Sequence, residues 1–214
     1  MSGGGSRFAL ASPQNIRAVK QPLYKKGFMT IGTKSVLFGA HCFFLHPWFV
    51  AFSWYKLYSY PLDPRLWCAF FLHDLGYFGK INMDGPEGET HVEFGAKIMS
   101  FLFGKEWGDF CRFHSRYYSK SMNARPSKLC FADKLSFVYT PRWLYLPMVT
   151  ATGEINEYLK NAQKSDSQHW TPTGFDKKKW HSQLKEYMIK WVAEHQNGTE
   201  DTWTAKRHDN VCAK

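Results

Sequence analysis

The adjacent pair His73-Asp74 follows directly on the segment Pro64 to Leu72, PRLWCAFFL, whose only charge is Arg65. A run this apolar reads as a buried helix, so it carries an imidazole and a carboxylate together into the interior of a fold. A buried carboxylate without a partner is strongly disfavoured, so the rest of the chain must supply one. Further His and Asp residues recur at helix-length intervals: His46 lies 27 residues before His73, His91 lies 17 after Asp74, His114 another 23 on, and Asp133 another 19 on. Imidazole and carboxylate together suit Fe, Mn, Zn or related divalent ions, and a carboxylate can bridge two of them. One ligand per helix is a workable way to build such a site inside a bundle.

Local signals put these residues on helices. From Thr33 to about Tyr58 the apolar residues are dense and predict a helix, which Pro47 must kink or start. Asp63 can cap the next helix, with Pro64 at its first position. The glycine-, proline- and asparagine-rich segment from Gly76 to Glu89 reads as a long ordered loop. Thr90-His91-Val92-Glu93 fits a capping box ahead of an apolar run ending near Phe103, which places His91 in a first helical turn. A helix from about Lys105 to Lys120 would align Trp107, Phe110, Cys111 and His114 on one face, with His114 pointing inward. In the helix that begins at Pro126-Ser127, Leu129, Ala132, Asp133 and Ser136 share a face.

Beyond Pro147 the composition changes. Gly153 to Lys164 predicts a helix, Ser165 to Gly174 a polar loop, and Asp176 to His195 an amphipathic helix with Trp180, Leu184, Tyr187, Met188 and Trp191 on its apolar side. The expected fold is all-α, a helical bundle with a C-terminal helical appendage. Its expected parts are a loose arm at 1-27, a metal-binding helical domain at 28-149, and the appendage at 150-214. His169, His181, His195 and His208 fall in the polar appendage and are expected to face solvent.

Hydrophobic residues make up 44% and aromatics 18%, which excludes general disorder. The five cysteines form no CxxC pair and mostly sit in apolar runs, which predicts buried free thiols in a reducing compartment. The N-terminal segment has no apolar core for a secretory signal, so the expected location is the cytoplasm. Val36 to Tyr58 is long enough to span a bilayer, but it contains His41, His46, Pro47 and Lys56, which hydrocarbon penalises. No membrane partner is expected. The net charge is +10, and residues 1-149 carry eighteen Lys/Arg against nine Asp/Glu. A positive excess on the histidine-rich part favours phosphate-bearing ligands.

The order H…HD…H…H…D resembles the HD-domain superfamily, in its two-metal form. PLDPRLWCAFFLHDLG is similar to the family's helix leading into the HD dipeptide, and CFADKLS to its final Asp helix. The likeness covers about residues 35 to 140. It implies that His46, His73, Asp74 and Asp133 hold one ion and that Asp74 bridges to a second held by His91 and His114. His41 competes with His46 for the first position, and the spacing to the LDP turn favours His46. The implied cofactors are two divalent ions, Fe or Mn first, with Mg, Zn, Co or Ni as substitutes.

The implied activity is metal-dependent phosphohydrolysis of a nucleotide or other small phosphate ester, with Asp74, Lys80 and Arg116 as catalytic residues. The ions would polarise a phosphoryl oxygen and activate a water for attack on phosphorus. Lys80 follows the HDLG turn and Arg116 follows His114, and both could hold substrate phosphates. Arg112 and Lys128 read as surface charges. The loop residues Asp84, Glu87 and Glu89 fit either a pocket wall or a connector. The chain lacks the GYP motif of the cyclic-dinucleotide branch. Two other readings remain open: a di-iron oxygenase that cleaves a carbon bond, for which the same ligands serve, and a nucleotide- or nucleic-acid-binding module with a structural metal. Nucleic acid is not favoured, because no recognition motif appears.

Overall fold

In the computed structural model residues 29–164 and 176–197 are described. The expected arm at 1-27, most of the appendage loop, His169, His208 and Cys212 lie outside them. Among the described residues there are ten α-helices, two short 3-10 helices and no strand, so the fold is all-α. The helices are α1 (Ile31–Phe38), α2 (His46–Leu57), α3 (Pro64–Leu72), α4 (Val92–Phe103), α5 (Lys105–Arg112), α6 (Arg116–Ser121), α7 (Lys128–Tyr139), α8 (Arg142–Thr152), α9 (Glu154–Lys164) and α10 (Lys177–His195). The 3-10 turns are Leu75–Tyr77 and Gly88–His91.

The main core joins the helices that lead to the His/Asp residues. Val50, Ala51 and Trp54 of α2 meet Ala69 and Phe70 of α3, Ala96 and Met99 of α4, Cys111 of α5, and Leu129 and Ala132 of α7, all buried. Removing this much apolar surface from water is what fixes the relative positions of the helix ends. Two satellite clusters bind the C-terminal helices to this body. Tyr145 and Val149 pack with Ile155, Leu159 and Trp180, and Cys130 and Phe131 pack with Trp191 and Val192.

Several helix boundaries differ from the sequence expectation. The predicted helix from Thr33 to Tyr58 is two helices, separated by a turn at residues 39–45. The turn is held from a distance, because Ala40 N–H donates to Glu154 Oε1 at 3.2 Å and Gly39 packs against that carboxylate so closely that a Cβ would meet Oε1 at 1.8 Å. Pro47 therefore sits in a first turn, where its missing N–H costs nothing. No helix among the described residues is long and apolar enough to cross a membrane.

The predicted helix from Lys105 to Lys120 also divides. Ser115 caps α6 by accepting from Tyr118 N, which leaves His114 in the turn between α5 and α6. The capping box at Thr90 does not form. Thr90 Oγ1 donates to Glu87 O at 2.7 Å, and Glu93 pairs instead with Arg112, 2.9 Å away. The cap at Asp63 forms as expected, accepting from Arg65 N with Pro64 in the first turn.

His181 and His195 are not solvent-exposed; they are 3% and 4% exposed. Both follow tryptophans into the interface of α10, His181 against Phe137 and Tyr145 and His195 stacked on Trp191.

Candidate metal centre

The end of α3, the middle of α7, the start of α2 and two turns converge on one buried point. His46 opens α2, His73 caps α3, Asp74 follows it, His91 ends the second 3-10 turn, His114 sits between α5 and α6, and Asp133 lies in α7. Their donor atoms form two groups: His46, His73, Asp74 and Asp133, then Asp74, His91 and His114, with the atoms of each group within 4.8 Å of one another. The structure places His46 in the first group. His41, the sequence's other candidate, instead turns its Nδ1 to Ser35 Oγ at 2.8 Å.

Asp74 belongs to both groups, with one oxygen turned toward each. Its Oδ2 lies 3.2 Å from His46 Nε2 and 3.1 Å from His73 Nε2. Its Oδ1 lies 3.3 Å from His114 Nε2 and 3.5 Å from His91 Nε2. Although buried, Oδ2 has no hydrogen-bond partner, since the approaching nitrogens do not meet hydrogen-bond geometry. Atoms this close without a hydrogen bond between them are arranged like ligands of a common ion.

The imidazoles are held for the same purpose. His73 Nδ1–H donates to Phe70 O at 3.0 Å, His91 Nδ1–H to Gly88 O at 2.8 Å, and His114 Nδ1–H to Cys111 O at 2.6 Å. A carbonyl can only accept, so each Nδ1 carries the proton and each Nε2 keeps its lone pair when the ring is neutral. Such an anchor on the far nitrogen orients a metal-binding histidine. The Nε2 pairs of His46 with His73 and of His91 with His114 are 3.3 and 3.0 Å apart. Two nitrogens each about 2.1 Å from one ion and at right angles would be about 3.0 Å apart. The donor set fits divalent metal ions, one group per ion with Asp74 shared.

Two glycines let the elements approach this closely. A Cβ on Gly76 would meet His91 O at 1.8 Å, and one on Gly95 would meet Leu72 O at 2.5 Å. The HDLG turn can therefore lie against the His91 turn, and α4 against the end of α3.

The charged groups of the centre shift one another's protonation. Burial disfavours the imidazolium of His73, but Asp74 and Asp133 outweigh it and raise its pKa to about 10. His46 is raised in the same way, its burial outweighed by the Asp133 and Asp74 carboxylates against its Nε2. Burial opposes ionisation of Asp74 and Asp133, yet His73 beside the first and Lys134 beside the second hold both well below the usual carboxylate range. His91 behaves oppositely, pushed well down by burial and by His114.

Around the ligands stand Tyr77, stacked on His91 at 3.9 Å, and Lys134, whose Nζ lies 3.1 Å from Asp133 Oδ2 with 29% of its side chain exposed. Glu89 accepts from Ser115 Oγ, and burial with Asp84 nearby pushes its pKa up to about 7. A narrow, mainly apolar cleft lined by Leu45, Phe49, Leu144 and Met148 reaches His46.

Neither Lys80 nor Arg116 lies in the two donor groups. Lys80 Nζ donates to Thr90 Oγ1 at 2.6 Å, one residue from His91. Arg116 lies over the Trp191 ring at 4.5 Å and donates to Tyr187 OH at 3.1 Å, toward α10. Arg112 and Lys128 engage Glu93 and the Tyr58 ring. The loop residues are fastened from α9: Glu157 accepts from Met83 N at 2.9 Å and Asp84 N at 3.0 Å.

Fold and site together define an all-α protein with a buried His/Asp cluster able to hold metal ions. No protein-family model, curated protein or solved structure matches the chain.

Proposed function

We propose that this protein is an HD-type, metal-dependent phosphohydrolase that acts on a nucleotide or another small phosphate ester. The metal half of the reading rests on the two donor groups that share Asp74, in the order H…HD…H…H…D. The phosphate half rests on a single observation, the Lys134 ammonium held beside the ligand Asp133 and still partly exposed. A cation fixed there attracts an anionic substrate and balances charge on phosphoryl oxygens. The positive excess of residues 1-149 supports the same substrate class.

Bound divalent ions would supply Lewis acidity and lower the pKa of a coordinated water. His46, His73, Asp74 and Asp133 would hold one ion, and Asp74, His91 and His114 the other, with Fe or Mn the first choices for this ligand set. Lys80 stands at the rim beside Thr90, as a second candidate for a substrate phosphate. A cytoplasmic location is part of this reading, and the cysteine usage supports it.

The test is to purify the full chain, measure its bound metals, and screen nucleotides and phosphate esters with Mn or Fe for phosphate release while following dioxygen uptake. Release that is lost in His73→Ala and Asp74→Ala supports the reading. Oxygen consumption on an iron pair without phosphate release would replace it with carbon-bond oxygenation.

A further inference from the structure

Beside the centre lies a second buried polar cluster that the ligand set does not use. Glu154, 0% exposed at the start of α9, accepts from four donors: Ser35 Oγ at 2.9 Å, Tyr158 OH at 3.0 Å, Thr152 Oγ1 at 2.6 Å and Ala40 N at 3.2 Å. With two donors at each oxygen, this carboxylate acts only as an acceptor. The Ser35 hydroxyl proton is directed to Glu154, so Ser35 can only accept from His41. The proton between them therefore belongs to His41 Nδ1, 2.8 Å away, and in the neutral ring Nε2 is left with a lone pair.

His41 is placed to use that lone pair. Its ring lies edge-on to the ligand His46 at 5.6 Å and against Tyr77 at 4.7 Å. Its side chain is 20% exposed, and Nε2 has no hydrogen-bond partner among the described residues. Of the charged and titratable groups that face it, His46, Asp74 and Asp133 are ligands and Glu154 is saturated by its four donors. A phosphoryl oxygen is an acceptor and cannot pair with an acceptor nitrogen. A group that can is the O–H of a water.

We infer that His41 is a catalytic residue whose Nε2 accepts a hydrogen bond from the water that attacks phosphorus, and that Ser35 and Glu154 are positioning residues that fix its tautomer. The inference rests on the phosphohydrolase reading for the identity of the reaction, and on the metal centre for the place of the water. In the overall step the water oxygen bonds to phosphorus, the ester P–O bond breaks with its electron pair on the leaving oxygen, and the proton lost by the water ends on that oxygen. His41 holds the water's O–H in line.

The test compares wild type, His41→Phe, His41→Gln and Ser35→Ala as full chains. Three quantities are read: imidazole 15N shifts of the zinc-loaded protein, metal stoichiometry by calorimetry, and kcat and KM for phosphate release. The expected wild-type spectrum shows His41 protonated at Nδ1, and Ser35→Ala shows a mixture of tautomers. His41→Phe keeps full metal stoichiometry and loses about 10- to 100-fold in kcat with little change in KM, as removal of one hydrogen bond to a reacting group would do. His41→Gln, which keeps an acceptor oxygen, recovers part of the loss. A proton on Nε2 in the wild type, a metal deficit in both His41 variants, or unchanged kcat in His41→Phe would each overturn the inference. A wild type that binds zinc with His41 protonated at Nδ1 yet releases no phosphate from any ester overturns the phosphohydrolase reading and, with it, the water's role, while leaving the tautomer lock standing.

Discussion

The Nε2 atoms of His91 and His114 face each other at 3.0 Å, while the Nδ1–H of each donates to the carbonyl three residues before it. Two unprotonated nitrogens at that distance repel unless a cation lies beside both, so a divalent ion here relieves a repulsion as well as gaining ligands. His91→Ala and His114→Ala are each expected to bind one ion fewer than wild type and to keep the other. Asp74→Ala, which removes the shared carboxylate, is expected to weaken both by more than about 10-fold. Elemental analysis after gel filtration gives the counts, and wild-type stoichiometry in His91→Ala would refute the two-group assignment.

Protons and metal compete for the same lone pairs in the His46–His73 half. With the His73 pKa raised to about 10, affinity at that half should rise with pH through the neutral range, each binding event releasing protons. The His91 half, where burial pushes the ring's pKa well down, should bind with a weaker pH dependence. Calorimetry in buffers of different ionisation enthalpy measures the protons released.

Without metal, the same groups shape the pH dependence of stability. Asp74 and Asp133 are depressed below 3.8, so their contribution is present above that value and is lost as pH falls further. His73 is raised from 6.5 to about 10, so its contribution is full below 6.5 and is lost as pH rises toward 10. Melting temperature in chelator should therefore fall as pH rises from 6.5 toward 10. A melting temperature that rises across that range would contradict this.

His181 behaves oppositely to His73. Burial, with Arg142 and Lys185 nearby, lowers its pKa to about 4, and its buried Nε2 has no hydrogen-bond partner. Its folded pKa lies below the unfolded one, so it contributes stability above 6.5 and loses it as pH falls from 6.5 toward 4. His181→Phe should remove this loss, gaining about 1 to 2 kcal/mol near pH 4 to 5 and little at pH 8. Urea melts at the two pH values decide it.

Gly76→Ala probes the close approach that builds the centre. The new Cβ would need the space of His91 O, so the His91 turn must move. The His91 ion should be lost, while helicity and the other ion are retained. Circular dichroism and metal analysis together test this.

Much of this centre was legible in the sequence because some ligands sit in an apolar context that announces burial, as His73-Asp74 does after PRLWCAFFL and Asp133 does in α7. The cap at Asp63 was legible too, since capping depends on neighbours two or three residues away. Whatever depends on distant partners was not. Ser35 and Glu154 are 119 residues apart, and no local pattern links them. The turn between α1 and α2 is held by the same distant carboxylate, through Ala40 N–H, so spacing to the LDP turn favoured His46 without excluding His41. Composition misled at His181 and His195: α10 is polar on average, yet its tryptophans draw the neighbouring imidazoles inward.

Residues 150 to 164 follow the point where the chain's charge balance changes, and trimming a gene for expression would naturally remove them. Glu154 holds the turn that leads into His46, and Glu157 holds the loop between Asp74 and His91. A shortened protein ending at residue 149 would keep every metal ligand and lose the braces on two of them. A failed assay on such a fragment would reveal nothing about the chemistry of the intact molecule.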